Sequence, residues 1–329
     1  YNYYKESAPI GQSSRNIQYG IEKATADVMG GALINCMGMS SECMFNRSDS
    51  AISRCSSDFM PEDRVWFGQN VLQSSYNGLL QGQYYVNDWD MWWTDDEQAV
   101  KNSLCHAISG GPVYVSDKIG RTNPEILKPM CFRDGRVPMC DISTTPTADC
   151  LLFDPTTTTA PFKLRNLSGE SGLIAAYNIN KDNAPVSGTV CPEDAGLKSG
   201  TYAYYEYFSH KGGILQPGEK LELQLVDNDA MAMYTFVPAK DVTVMGRTDL
   251  FAGICAVLDR SCNEVTVYEG GQISFISQTN TLQQIACNSL CFCFRILNRQ
   301  FSFFNNNISC FLSTHYSLFN LFFIRFKLF

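Results

Sequence analysis

The sequence predicts a chain in two parts, an α/β part with parallel strands followed by an all-β part folded as an antiparallel β-sandwich. Two patterns and the length carry this reading. Helical and strand periodicities alternate from residue 12 to about residue 130, as they do when parallel strands are covered by helices. From about residue 135, short alternating or β-branched runs follow one another with no helix between them, which is the pattern of a sandwich. At 329 residues the chain is long enough for two cores.

The elements follow in order. Residues 12–29 carry apolar Ile17, Ile21, Ala24 and Val28 at helical spacing. "GGALINCMGM" breaks at two glycines and yields a short strand around 32–37. A polar loop with Asn46 and Arg47 leads to a second strand at 51–56. Pro61 stands where a first helical turn tolerates it, and Val65, Leu72, Tyr76 and Leu79 mark one face of a helix from 62 to about 80. "QYYVNDWDMWW", 83–93, reads as a strand running into an aromatic loop. Thr94 is then expected to cap a helix with an acidic first turn. "GGPVYVSD", 110–117, reads as a fourth strand and "NPEILKPM" as a short helix. Four parallel strands are too few for a closed barrel but make half of one. In the second part "LIAAYNIN", "YAYYEYFS", "KLELQLV", "MAMYTFVPA", "EVTVYEG" and "QISFIS" read as strands. The expected division is 1–134 for the α/β part, 135–276 for the sandwich and 277–329 for a tail. That tail has eleven Phe between 292 and 329 and no acid. Its composition is what translated A/T-rich DNA gives, and it is expected to be aberrant rather than a domain.

Charge narrows the partners. The formal charge is −8, and without the four cations after Glu269 the rest of the chain stands at −12. An acidic body argues against nucleic acid or an anionic membrane and suits a neutral ligand. Residues 311–329 include His315, Arg325 and Lys327 and make a poor membrane span. Three scattered histidines and cysteines without close pairing argue against a metal site, and no cofactor is expected. Ten of the fourteen cysteines lie between 36 and 262 and are expected to be reduced and buried, which points to the cytoplasm. The chain starts at Tyr1 without a leader pattern and reads as part of a longer protein.

The candidate site collects at strand ends. If 51–58 is extended, Arg54, Ser56 and Asp58 share one side, with Asp58 at the carboxyl end, where parallel barrels carry their chemistry. Cys36, the pair Asp88 and Asp90 around Trp89, and Asp117 stand at the other strand ends. One such Asp reads equally well as a helix cap, but polar residues at four consecutive strand ends favour a site. Carboxylates suit vicinal hydroxyls, and Trp89, Trp92 and Trp93 have flat faces for the C–H side of a pyranose. Core packing is an equal reading for Trp92 and Trp93. Together the rim suggests a sugar.

"INCMGM", "SRCSSDFMPED", "YNGLLQGQYYVNDWDMWW" and "AISGGPVYVSDKIGRTNPEILKPM", with "CLLFDP" and "LIAAYNIN" beyond them, resemble the raffinose synthase, seed-imbibition and alkaline α-galactosidase group of glycoside hydrolase family 36. The resemblance runs over roughly residues 1–276. It implies the second half of a (β/α)8 TIM barrel followed by a β-sandwich, and retaining hydrolysis of, or galactosyl transfer from, raffinose-type α-galactosides. The family's R-x-x-x-D motif falls on Arg54 to Asp58, which implies Asp58 as the general acid/base and Arg54 as a substrate-side contact. Direct pairing with Arg54 would lower the pKa of an acid that must hold its proton, so Arg54 is expected to point to the substrate instead of to Asp58. Cys36, Trp89, Asp90 and Asp117 match positions lining the family's sugar pocket. Ser57 departs from the family, many of whose members carry two aspartates in a row here. The Lys-Val-Asp motif with the nucleophile is expected upstream of Tyr1, and Glu6 matches the loop after that strand. On this reading the chain is an inactive fragment of the enzyme. A non-catalytic carbohydrate-binding protein is the alternative. Asp90 or Asp117 as nucleophile of another hydrolase is a remote third.

Overall fold

The structure, a computed structural model, describes residues 8–260 and the segments 264–267, 271–277, 280–287 and 292–295. Helix α1 (Ile10–Met29) starts after Pro9 and ends at Gly30, whose φ of 63° closes the helix in the left-handed conformation that glycine adopts without cost. Strand β1 (Ile34–Asn35), the short α2 (Ser41–Met44), β2 (Ile52–Arg54), α3 (Arg64–Gln81), β3 (Val86–Asp88), α4 (Ala99–Ile108) and α5 (Pro124–Leu127) follow. The three strands form one parallel sheet in the order β1-β2-β3.

Two expectations here are corrected. The run 110–117 makes only one parallel bridge, Trp92 with Val115, instead of a fourth strand. Its two glycines explain why. Gly110 has φ +72°, and Gly111 lies so close to the Asn87 carbonyl oxygen that a Cβ there would stand 1.9 Å from it. The chain is therefore pressed against β3 before it can run alongside, and Pro112 then lacks an N–H for a ladder. Thr94 does not cap α4, which begins at Ala99. Its backbone N–H and hydroxyl both donate to Asp117 instead (2.6 and 2.7 Å).

Helix α1 buries a polar face. Its buried residues are Ser13, Ser14, Glu22 and Thr25, while Ile21 is 43% and Val28 83% exposed. The polar face is buried because its contacts are polar. Ser14 donates to the Glu42 carbonyl (2.8 Å). The Glu22 carboxylate accepts from the backbone N–H groups of Ser48, Asp49 and Ser50 and from the Ser50 hydroxyl (2.5 Å). Burial alone would raise the Glu22 pKa, but these four donors outweigh it and hold the carboxyl below its usual range. The open face of the parallel sheet is apolar too, with Ile34 and Val86 exposed.

The second part is antiparallel. Its largest sheet has six strands in the order β4-β5-β6-β11-β8-β9, from β4 (Thr145–Pro146), β5 (Phe162–Ser168), β6 (Ser171–Tyr177), β8 (Tyr202–Glu206), β9 (Lys211–Leu215) and β11 (Met231–Pro238). A two-stranded ribbon of β7 (Val186–Val190) and β10 (Leu221–Leu225) covers one face, packing Val186, Val190, Leu223 and Leu225 against Ile174, Tyr234 and Phe236. The other face joins the core of the first part, where Leu173, Ala175 and Tyr177 meet Phe67, Val71, Trp89 and Trp92. Burial on both faces accounts for the unbroken apolar run in β6. Strand β12 (Val242–Arg247) pairs with β15 (Gly271–Ser277), and β15 with β16 (Leu282–Cys287). Strands β13 (Val257–Arg260), β14 (Glu264–Val267) and β17 (Phe292–Arg295) form a further sheet. Two strands thus fall within the expected tail, and its remainder from 296 lies outside the described residues, as does Glu6. Among the described residues no helix is long and apolar enough to cross a membrane.

Candidate active site

Arg54 ends β2 and stands in register beside Asp88, the last residue of β3. Its side chain is 7% exposed and is paired on both sides, Nη2 with Asp58 and Nη1 with Asp90. Burial works against the charged guanidinium, but the bond to Asp90, the charges of Asp90 and Cys36 and the bond to Asp58 together outweigh it, and the Arg54 pKa rises. The expectation that Arg54 turns from Asp58 toward a substrate is therefore corrected. A guanidinium removed from water must be paired, and two carboxylates hold this one.

Asp90 is the fixed member of the group. Its side chain is 2% exposed, and Oδ2 accepts the Phe59 backbone N–H at 2.6 Å. Its φ of +72° is a left-handed conformation rare outside glycine. Its own N–H donates to Asp88 Oδ1 (3.0 Å), and its carbonyl lies 2.9 Å from His106 Nε2. Such strain persists where the surroundings over-determine it, as they do here. Asp90 offers no face to a sugar in this arrangement.

Asp58 is the reverse case. Its side chain is 77% exposed. It does not cap the following helix, because the cap of α3 is Asp63, which accepts the Trp66 N–H at 2.9 Å. The loop bearing Asp58 is gripped by one face of α3. Trp66 Nε1 donates to the Asp58 carbonyl (2.6 Å) and Asn70 to the Ser56 hydroxyl (3.2 Å). Gln73 accepts from both the N–H and the hydroxyl of Ser57 (2.9 and 2.6 Å), and Asn77 donates to the Cys55 carbonyl (2.6 Å). Ser57 is thus a held position.

Asp88 is buried and accepts the Tyr114 hydroxyl on Oδ2 at 2.9 Å. Burial raises the Asp88 pKa, with the tyrosine bond opposing in part, and burial beside Asp88 raises that of Tyr114. Burial also lowers the pKa of His106. Cys36 is exposed just beyond β1. Asp117 is half-buried and taken up by Thr94. Trp89 is a correction, because it is 1% exposed and belongs to the core with Phe67 and Tyr177. Trp92 is core as well. Trp93 is the half-exposed indole, edge-on to Phe59 at 6.4 Å with Nε1 donating to Ser116. Among the described residues no group of three or more His, Cys, Asp or Glu is placed to hold a metal ion.

The sequence reading missed Tyr114, His106 and the gripping face of α3. The last had a signal in Trp66, Asn70, Gln73 and Asn77, polar-capable residues spaced by four, three and four.

The stretch that builds this cluster also matches a known family. Residues 15–186, just over half the chain, match the family model of raffinose synthase or seed imbibition protein Sip1. The chain belongs to this family. It is 31% identical over 189 residues to galactinol–sucrose galactosyltransferase of Pisum sativum, covering 55% of this chain and 22% of that protein. It is 38% identical over 123 residues to stachyose synthase of Pisum sativum, covering 36% and 14%. A third relative is "Probable galactinol–sucrose galactosyltransferase 6" of Arabidopsis thaliana, 32% identical over 146 residues, with 44% and 20% covered. This raffinose synthase/Sip1 family chain thus spans about a fifth of the length of the curated relatives it matches.

Proposed function

We propose that this chain is the acid/base-bearing part of a retaining enzyme that transfers galactosyl groups between α-galactosides, with Asp58 as the general acid/base. The observation that carries this is the exposed Asp58 carboxylate, anchored four residues after the buried Arg54 inside the family-matched stretch. The names of the relatives, a galactinol–sucrose galactosyltransferase and a stachyose synthase, favour transfer over hydrolysis.

In this reading residues 8–134 are the carboxyl-terminal half of a (β/α)8 barrel, and the sheets from 135 to 276 form a β-sandwich against it. The exposed Ile34 and Val86 on the open sheet face and Ile21 and Val28 on α1 are surfaces that adjoining strands and helices of a complete barrel bury. Asp58 protonates the leaving oxygen in the first step and takes a proton from the acceptor hydroxyl in the second. Retention needs a second carboxylate about 5–5.5 Å away as nucleophile. Asp88 and Asp90 are buried and already bonded, so the nucleophile is assigned to a segment outside the described residues. Arg54 and Asp90 then act by positioning. Asp58 faces the sugar, with the exposed Cys36 and the half-exposed Trp93 as further contacts, and Asp117 acts through its hold on Thr94.

Calorimetry of the chain against galactinol, raffinose and maltose tests the reading. Binding of both galactosides in preference to maltose is expected, retained in Asp58→Asn. Equal or absent binding would overturn it. If the chain alone turns over galactinol, Asp58→Asn is expected to abolish that turnover, and an unchanged rate removes Asp58 from its role.

A further inference from the structure

Cys140 and Cys255 lie with their sulfurs 3.7 Å apart although 115 residues separate them. Cys140 belongs to the stretch 131–142, which has no helix or strand. Its sulfur is buried, with the Ala107 carbonyl 3.9 Å away as its other neighbour. Cys255 is half-buried in the one-turn 3-10 helix Gly253–Ala256, packed against β12. The two thiols therefore face each other at a junction where the irregular segment leading into β4, lying against Ala107 of α4, meets the 3-10 helix that follows β12.

We propose that Cys140 and Cys255 are a modification site, a dithiol that a peroxide converts into a disulfide across this junction. Cys255 is the more accessible sulfur and reacts first. Its thiolate attacks one peroxide oxygen, the O–O bond breaks, and the departing hydroxide takes up a proton to become water, leaving a sulfenic acid. The Cys140 sulfur then attacks the Cys255 sulfur, the S–O bond breaks and a second water leaves. Two thiols lose two electrons and two protons, and one peroxide takes them up to become two waters. Closing the gap to a disulfide bond of about 2.05 Å requires a contraction that the irregular stretch 131–142 can supply more easily than a strand. The hydrogen bond with Cys255, and then burial, hold the Cys140 thiol well above the ordinary thiol range. The closing step therefore speeds up as pH rises and more thiolate forms. The cross-link closes a loop containing most of the antiparallel strands, a length at which a disulfide strongly restricts the unfolded chain.

The whole chain is incubated with hydrogen peroxide, its remaining thiols are alkylated, and it is digested without reductant for mass spectrometry. The expected result is a linked Cys140–Cys255 peptide, two hydrogens lighter than its parts and released by dithiothreitol, forming faster at pH 8.5 than at pH 7. The oxidised chain should also unfold at higher urea concentration. Alkylation of both cysteines while the exposed Cys36 is oxidised, or linkage of either to another cysteine, overturns the proposal. Cys255→Ser should lose the linked peptide, and the wild-type map decides the question even if that variant does not fold. Because the readout is thiol connectivity, the result is independent of whether the chain binds galactosides.

Discussion

Arg54 and Asp90 form an ion pair with side chains only 7% and 2% exposed. The second carboxylate on Arg54, that of Asp58, is 77% exposed. One guanidinium thus joins a fixed buried anion to one that faces solvent, and the two arms should differ sharply on mutation.

Asp90→Asn is expected to destabilise the chain by about 3–5 kcal/mol, because it strands Arg54 as an unneutralised buried charge on that side. Asp58→Asn is expected to cost less than about 1 kcal/mol, as for a pair with one partner in water. Urea denaturation of the two variants checks this, and equal losses would contradict the division of roles.

Gln73→Ala removes the acceptor of both Ser57 bonds. A loss of roughly 1–2 kcal/mol is expected, with faster hydrogen exchange concentrated in residues 55–59. Exchange that rises uniformly along the chain would show that α3 does not grip the Asp58 loop specifically.

Trp89→Phe tests the core assignment against the sugar-stacking one. With Trp89 at 1% exposure, the substitution should cost roughly 1–3 kcal/mol of stability and leave galactoside affinity within about twofold, well under the tenfold worth of 1.4 kcal/mol. Normal stability with lost affinity would return the indole to the sugar.

Asp88 and Glu22 predict opposite pH trends. The folded pKa of Asp88 is raised above its ordinary 3.8, so its contribution is fully present below that pH and is lost as pH rises through the folded value. Asp88→Asn, permanently neutral, should therefore gain stability relative to the parent on going from pH 3.5 to pH 7.

The Glu22 pKa is lowered from 4.5, so its contribution is present above that pH and is lost as pH falls through the folded value. Glu22→Gln should be weaker than the parent at pH 7 by about 1–3 kcal/mol, the worth of bonds to a charged acceptor, and the difference should shrink below pH 4.5. Thermal melts across this range check both signs.

Much of this was legible in the residues. The alternation of helix and strand, the change to consecutive strands near 135, the R-x-x-x-D spacing and the long motifs shared with the raffinose synthase/Sip1 family are short-range properties, set by periodicity and covalent distance. They located β1, β2, β3 and α3 to within a few residues and brought Arg54, Asp58 and Asp90 into one neighbourhood. The tertiary structure alone decided which of these residues face water. Trp89 is core because Tyr177 and Ile254, far along the chain, belong to the cluster that encloses it. The polar face of α1 is buried because a turn more than twenty residues away places three N–H groups on Glu22. Arg54 binds Asp58 and Asp90 together because the left-handed turn at Asp90 brings that carboxylate back over β2. Burial depends on what packs from across the fold, and a local pattern carries no record of that partner.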